Sequence, residues 1–332
     1  MRVTAELVDE LERRRNGARL PSSSGSNLHV PSLRLQQVTT EVRTAKVRDG
    51  RSLAFEEWGD PNGFPVFSLH GTPGSRFNRH YDEGLYVRAG ARVITYDRPG
   101  YGKSDRQPGR VVVDCVEDVA AIADVLEIER FAVVGGSGGG PHALAVAARL
   151  PERTERATCA VGVAPFDTDG FDWFEGMDPE NVAEMQWALD GEAALVPNLE
   201  REAAEVLARI AIDPSKIIGD EFELPESDRA ELARPERHGV IRQSVSESIG
   251  EGVYGWVDDD LAFIRPWGFD VSEIRIPTRV IYGTTDVLVP RNHGEWLGRN
   301  VPGAEVVIED NQGHLPDPES MFEIFRWLVQ PS

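Results

Sequence analysis

Cysteine is scarce in this chain of 332 residues, which contains only Cys115 and Cys159. Two cysteines 44 residues apart have neither the spacing of a zinc site nor the density of a disulfide-stapled domain. A chain of this length can bury a core that is stable without such cross-links. We therefore expect two packed, reduced thiols and a cytoplasmic location.

Long apolar runs are also missing. No segment reaches the roughly 18 uninterrupted apolar residues of a transmembrane helix. The first fifteen residues carry acidic and basic side chains throughout, which is unlike a secretory signal. With 40% hydrophobic and 27% charged residues, the composition is typical of a globular protein. We expect no membrane partner.

Basic residues are few relative to acidic ones. The chain has 35 Lys and Arg against 56 Asp and Glu, a formal net charge of −21, which repels nucleic acid and anionic lipid. The acidity is concentrated, since residues 165–264 hold 25 acidic and only 7 basic side chains. We interpret this segment as a separate unit, and we expect a small molecule as the partner of the protein.

Short apolar segments alternate with helical periodicity on both sides of the acidic segment, which predicts an α/β fold with a mostly parallel sheet covered by helices on both faces. Eight strands are predicted at 38–47, 53–58, 65–69, 92–96, 131–134, 158–163, 278–282 and 305–308. The predicted boundaries are an N-terminal helix and flexible linker over 1–37, a first core part over 38–164, a mainly helical insertion over 165–264 and a second core part over 265–332. Helices are predicted within the insertion at 181–190, 199–212 and 230–234.

A glycine-rich turn with a central serine, Gly135-Gly-Ser137-Gly-Gly139, lies between an apolar strand and a helix. A sharp strand-to-helix turn forces its central residue into a strained conformation and projects the side chain above the sheet edge. The first amides of the helix then point to where an oxyanion would form. Ser137 is thus a candidate nucleophile, although a glycine-rich turn that binds phosphate or merely reverses the chain has a similar sequence.

Two further residues supply what such a serine needs, a base and an acid that orients it. Asp286 and His314 each follow a predicted strand in the second core part. Because the carboxyl ends of parallel strands share one edge of the sheet, these residues are expected to converge with Ser137. Taken singly, Asp286 is also a plausible turn cap and His314 a plausible loop histidine. The three together, in the order Ser, Asp, His, favour a catalytic triad.

The segment His70-Gly-Thr72-Pro-Gly74 follows another predicted strand. A loop at that place is expected to give the second oxyanion donor, so we assign the backbone N–H groups of Thr72 and Gly138 to this role. His70 is expected to hold its loop by hydrogen bonds. The remaining histidines lack metal-ligand spacing, and no metal is expected. His142 is the less favoured candidate base.

The segment 97–105, Asp-Arg-Pro-Gly-Tyr-Gly-Lys-Ser-Asp, lacks the spacing of a phosphate-binding loop. It is interpreted as a structural turn held by Asp and Ser side chains.

Together these motifs resemble the α/β-hydrolase superfamily, and within it the cap-bearing group of esterases, proline iminopeptidases, C–C bond hydrolases and epoxide hydrolases. The resemblance covers residues 40–164 and 265–330. It implies the α/β-hydrolase fold, with the insertion as a helical cap. Epoxide hydrolases and haloalkane dehalogenases carry aspartate at the elbow, so Ser137 argues against both.

The function expected from these residues is ester hydrolysis through an acyl-enzyme, most simply by a carboxylesterase of small esters that uses no cofactor. A proline iminopeptidase-like activity, C–C bond hydrolysis and a non-catalytic ligand binder on the same fold are the alternatives. Aromatic residues of the insertion are expected either to line the substrate pocket or to form the core of the cap; these are Trp173, Phe174, Trp187, Tyr254 and Trp256.

Overall fold

The computed structural model describes residues 42–166 and 168–330. The predicted N-terminal helix and linker, and residues 38–41 of the predicted first strand, lie outside this part. The strands are β1 (Thr44–Lys46), β2 (Ser52–Gly59), β3 (Phe64–Leu69), β4 (Ala91–Tyr96), β5 (Phe131–Gly136), β6 (Thr154–Ala160), β7 (Thr278–Gly283) and β8 (Glu305–Glu309). The α-helices are α1 (Gly84–Ala89), α2 (Cys115–Val125), α3 (Gly139–Arg149), α4 (Pro179–Asp190), α5 (Glu192–Ile212), α6 (Glu226–Leu232), α7 (Pro235–Ile249), α8 (Tyr254–Phe263), α9 (Arg291–Asn300) and α10 (Pro318–Leu328).

All eight strands belong to one sheet with the order β1-β2-β4-β3-β5-β6-β7-β8. The β1–β2 and β2–β4 pairs are antiparallel, and the other five pairs are parallel. The predicted α/β class and the mostly parallel, eight-stranded sheet are therefore confirmed.

The centre of the sheet is formed by β3 and β5, whose apolar residues are buried on both faces. Val66, Phe67 and Val133 have no exposed surface, and the rings of Phe67 and Phe131 meet edge to face at 4.9 Å. Burial of such side chains stabilises the fold by roughly 1.5–3 kcal/mol each. The parallel register pairs Leu69 with Gly135, so the loops that follow these two strands begin side by side.

Three strands differ from the sequence prediction. In the described part of the predicted first strand, only Thr44–Lys46 forms β1. β6 begins and ends earlier than predicted, because the chain turns at Val161, whose φ is +46°. At the edge of the sheet, Val306 and Ile308 of β8 are 40% and 54% exposed, so the expectation of apolar burial on both faces fails there. An edge strand has a neighbour on one side only, which leaves part of its surface to solvent.

Five helices, α4–α8, lie between β6 and β7, and we call residues 179–263 the helical insertion. Their apolar residues pack into one cluster, which includes Leu195, Leu199 and Val257 and also Tyr101 of the segment 97–105. Trp256 is buried in this cluster and Trp187 packs against it, whereas Tyr254 is 43% exposed. These three rings therefore belong to the insertion's core or surface. Trp173 is buried beside the insertion, where its Nε1 donates a hydrogen bond of 2.8 Å to the Ala164 carbonyl.

Cys115 and Cys159 are both free and buried, as expected for packed thiols. Among the helices that the structure describes, none combines the length and the apolar character that crossing a bilayer requires.

Candidate active site

Ser137 stands at the turn between β5 and α3 with a φ of +54°. This left-handed conformation is unfavourable for a residue with a Cβ and costs on the order of 1–3 kcal/mol. Two backbone hydrogen bonds hold it, from Ser137 N to Ala160 O at 2.9 Å and from Gly140 N to Ser137 O at 2.8 Å. Strain that the surroundings maintain in this way is typical of functional residues.

The glycines around Ser137 allow close approach of neighbouring backbone. A Cβ on Gly135 would collide with the Gly139 carbonyl oxygen, and a Cβ on Gly138 would collide with the Thr72 hydroxyl. The turn is therefore tight, and the loop after β3 lies directly against it. A Cβ placed on Gly71 would come within 3.3 Å of the Ser137 Cβ.

His314 and Asp286 form a buried hydrogen-bonded pair at the carboxyl ends of β8 and β7. The Nδ1 atom of His314 lies 2.8 Å from Asp286 Oδ2. A carboxylate only accepts hydrogen bonds, so Nδ1 carries the proton and Nε2 is left as the acceptor. Asp286 is itself fixed, because its Oδ1 accepts the backbone N–H groups of Leu288 and Val289, both at 2.9 Å.

Carboxylates around His314 favour its protonated form. Burial alone lowers the pKa of the imidazolium, but the charges of Asp286 and Asp228, together with the Asp286 hydrogen bond, outweigh this effect and raise that pKa above its ordinary value. The structure thus brings His314 and Asp286 together as the sequence predicts. Within the described residues, Ser137 and His314 make no hydrogen bond to each other; such bonds often tighten only when substrate binds.

The predicted oxyanion donors lie beside the serine. The Thr72 and Gly138 backbone N–H groups donate to no other group in the described part of the chain. His70 holds its loop as expected, since its Nδ1 lies 2.7 Å from Gly71 O and its Nε2 accepts the Arg98 N–H at 3.1 Å. We call residues 70–74 the oxyanion loop.

A buried arginine beneath the oxyanion loop was not identified from the sequence. Arg98 is completely buried and donates to the carbonyls of His70 and Gly71 and to the Thr72 hydroxyl. Asp259 of α8 forms an ion pair with it, since its Oδ2 lies 2.5 Å from Arg98 Nη2 and also accepts the Thr72 hydroxyl at 2.6 Å. A carboxylate of the helical insertion therefore anchors the oxyanion loop through charge-assisted hydrogen bonds.

The turn at 97–105 is structural, as interpreted from the sequence. The Asp97 carboxylate accepts the backbone N–H groups of Arg76 and Lys103 at 2.6 and 3.0 Å. Ser104 donates to the Asp97 carbonyl at 2.6 Å and accepts the Ala54 N–H at 2.9 Å.

The alternative base, His142, is buried on α3 with its Nδ1 2.9 Å from the Gly138 carbonyl. Burial, with a contribution from the Arg98 charge, lowers its pKa to about 3. His293 is similarly buried, and its pKa is lowered to about 4. Both act as packed, neutral side chains. The described residues contain no cluster of metal-ligating side chains.

Comparison with known proteins gives a family model described as the alpha/beta hydrolase fold, which matches residues 65–316. A probable proline iminopeptidase of Leptolyngbya boryana is 26% identical over 79% of this chain and 85% of its own length. A 2-hydroxy-6-oxononadienedioate/2-hydroxy-6-oxononatrienedioate hydrolase of Comamonas testosteroni is 29% identical over 76% and 82%. Among solved structures, an alpha/beta hydrolase fold protein from Chitinophaga pinensis matches with a TM-score of 0.65 and 17% identity, covering 88% of this chain and 98% of its own.

Proposed function

The chain belongs to the α/β-hydrolase family, and on that basis we propose that it is a serine hydrolase that forms an acyl-enzyme and cleaves small carboxylic esters. The observation that carries this proposal is the buried His314–Asp286 pair, at 2.8 Å, on the sheet edge where Ser137 occupies a strained elbow. A nucleophile, a base and an orienting acid are the parts that acyl transfer requires.

In the proposed mechanism, Ser137 Oγ attacks the carbonyl carbon while His314 Nε2 takes the hydroxyl proton. Asp286 holds the ring in the required tautomer and stabilises the imidazolium. The imidazolium then gives its proton to the departing alcohol as the ester C–O bond breaks. In the second half, His314 takes a proton from water, which attacks the acyl-enzyme and releases the acid. These steps require no cofactor.

The tetrahedral oxyanion is stabilised, in this proposal, by the N–H groups of Thr72 and Gly138. Their donors are unoccupied by other groups of the described residues, which leaves them available. The Arg98–Asp259 pair fixes the oxyanion loop before substrate arrives, and such preorganisation is the main source of electrostatic catalysis.

We also propose that the helical insertion, within the predicted segment 165–264, acts as a cap over the serine. Its last helix, α8, reaches the elbow, since a Cβ on Gly138 would lie 3.0 Å from Phe263 Cζ. Asp259 of the same helix binds Thr72. A roof of this kind excludes water and closes an apolar pocket for a small substrate.

A second candidate is cleavage after an N-terminal proline, as named for the Leptolyngbya relative. Binding of a substrate amine needs a carboxylate that no cation already neutralises. Most buried acids of the insertion are paired with arginine, for example Asp259 with Arg98. Glu184, which neighbours Asp260, is different. Its pKa is affected by burial, by the hydrogen bond from the Trp256 N–H and by neighbouring carboxyl groups, none of which neutralises it as an arginine would.

The test is a substrate panel run on the wild-type protein and on Ser137→Ala. It contains p-nitrophenyl esters of increasing acyl length, prolyl arylamides and a diketone whose C–C bond can be hydrolysed. We expect hydrolysis of short esters with the highest kcat/KM and a loss of several orders of magnitude in Ser137→Ala. Preference for the arylamide, reduced by Glu184→Gln, would favour the second candidate, and preference for the diketone would replace both. If none of these substrates is turned over in a way that depends on Ser137, the chain is not a serine hydrolase.

A further inference from the structure

Three consecutive backbone N–H groups around His314 bind two side chains of α6 in the helical insertion. The N–H of Gly313 donates to Ser227 Oγ at 3.0 Å. The N–H groups of His314 and Leu315 donate to the two carboxylate oxygens of Asp228, at 2.9 and 2.8 Å. We call residues 313–315 the base loop. The insertion thus holds the backbone of the candidate base directly.

Asp228 is a buried carboxylate of the insertion without a cationic partner among the described residues. Its surface is 0% exposed, and no lysine or arginine forms an ion pair with it in the described part of the chain. By contrast, Glu231 on the same helix pairs with Arg234 at 2.7 Å and with Arg237 at 2.9 Å. A buried carboxylate without a cation is costly unless hydrogen bonds stabilise its charge. Here the base loop supplies those bonds.

The fit between Asp228 and the base loop is close. A Cβ on Gly313 would collide with Asp228 Oδ2, so the carboxylate lies in the space that this glycine leaves open. The other side of the base loop is fixed through Gln312, whose carbonyl accepts the Thr285 N–H at 3.0 Å. The candidate base is therefore held between the loop that carries Asp286 and a carboxylate of the insertion.

We propose that Asp228 is a positioning residue for His314: by binding the N–H groups of His314 and Leu315 it fixes the imidazole for proton transfer and makes that transfer depend on the placement of the insertion. This inference rests on the proposed function. Asp228 acts through the backbone and the charge, and it takes no proton itself.

Two carboxylates contribute to the charge around His314, one from each element packed against it. Asp286 binds Nδ1, and Asp228 lies behind the backbone. Burial lowers the pKa of His314, and both carboxylates raise it. Burial raises the pKa of Asp228, while its two N–H donors and the His314 charge lower it. Removing the Asp228 charge is therefore expected to lower the pKa of His314.

The experiment compares Asp228→Asn with the wild type in steady-state kinetics from about pH 5 to 9. Asparagine has a similar size, but it offers one oxygen for two N–H donors and carries no charge. Loss of a charged hydrogen bond corresponds to a roughly ten- to hundredfold fall in kcat. We expect that fall with KM changed less than about twofold, and an acid limb of kcat/KM at lower pH than in the wild type.

Two control variants separate positioning from general stability. Glu231→Gln removes another buried charge from α6 without touching the base loop, so its acid limb should stay in place. Ser227→Ala removes the third hydrogen bond but no charge, so kcat should fall less than in Asp228→Asn and the limb should not move. Should Asp228→Asn fail to fold, Asp228→Glu retains the charge and displaces the carboxylate. Its kcat is then expected to fall while the limb remains.

The outcomes are distinguishable from a failure of the proposed function. A phosphonate probe that does not label Ser137 in the wild-type protein would refute the serine hydrolase itself. Normal labelling of the wild type, with Asp228→Asn folded and unchanged in kcat and in its acid limb, would overturn only the role of Asp228. The same conclusion would follow from Asp228→Glu with wild-type kcat, or from a Glu231→Gln limb that shifts equally.

Discussion

Among the single residues of the site, His314 controls the proposed reaction through its protonation. Its imidazole must be neutral to accept the serine proton. Burial opposes the charged form of the imidazole, whereas Asp286 and Asp228 favour it. The net effect raises the pKa, so the neutral form predominates only at a higher pH than for an exposed histidine. Activity should therefore fall on acidification earlier than the ordinary histidine value alone would indicate.

The first prediction concerns this acid limb. In the wild-type protein, the apparent pKa of the limb in kcat/KM is expected above about 6.5, the ordinary histidine value. Asp286→Asn removes the nearest carboxylate, so the limb should move to lower pH and kcat should fall by about four orders of magnitude. The measurement is a pH–rate profile on a neutral ester. His142→Asn should keep the limb in place, and a limb that disappears in this variant would move the base assignment to His142.

Residues buried against distant partners mark the limit of what the sequence reveals about the site. Ser137, Asp286 and His314 were found because each follows a strand and the types form a known order. Asp228 and Asp259 gave no such signal, since they lie in a segment whose acids resemble a solvated surface. Only the fold places Asp259 on Arg98, which is 161 residues away in the chain.

Among the secondary structure elements, the strands were predicted from short apolar segments, and helical periodicity between those segments indicated helices of the core. The helices α1, α7 and α8 were not predicted. α8 contains three consecutive aspartates at 258–260, a pattern typical of a polar loop, yet all three are buried. Two of them are matched by arginines of the distant 97–110 segment, as Asp258 is by Arg106. A helix that is buried on all sides, partly through ion pairs with remote residues, has no one-sided apolar period to detect.

The pair of Glu184 on α4 and Asp260 on α8 gives a prediction for the helical insertion. Burial raises the pKa of Glu184 to about 7 and raises the pKa of the neighbouring Asp260 as well, so the folded pair retains a proton. The folded protein holds this proton where the unfolded chain releases it, so its stabilising effect is present at low pH and is lost as pH rises through about 7. Glu184→Gln keeps the hydrogen bonds without the charge and should be increasingly favourable at high pH.

The measurement is the Tm difference between Glu184→Gln and the wild type at pH 5 and pH 8. We expect a more positive difference at pH 8. Glu200→Gln changes an exposed glutamate of α5 and serves as the matched control, with a difference that does not depend on pH. A Glu184→Gln difference that is equal at both pH values would show that this carboxyl does not retain its proton in the fold.

At the scale of the whole molecule, the net charge of −21 is unevenly distributed, with residues 165–264 holding 25 acidic and 7 basic side chains. In the proposed arrangement this segment covers the active site. Its field should repel anionic substrates and attract cationic ones, and the effect is screened as the Debye length falls from roughly 30 Å at 0.01 M salt to 3 Å at 1 M. Arginines neutralise some of these acids. The electrostatic field of the remaining acids is expected to affect the rate of hydrolysis and not the stability of the fold.

The corresponding prediction compares three matched esters that carry a carboxylate, no charge or an ammonium group. As salt rises from roughly 0.02 to 0.5 M, kcat/KM should increase for the anionic ester, stay constant for the neutral one and decrease for the cationic one. Steady-state kinetics at fixed pH measure this. Parallel responses of all three esters would leave the acidity with a role in solubility only.

Covalent labelling by a fluorophosphonate, followed by peptide mapping, tests whether Ser137 is the nucleophile. We expect one adduct, on Ser137, that forms much more slowly in His314→Ala and is absent from Ser137→Ala. Ser272→Ala, which replaces an exposed serine outside the site, should label like the wild type. An adduct on another residue, or unchanged labelling of a folded Ser137→Ala protein, would show that Ser137 is not the nucleophile.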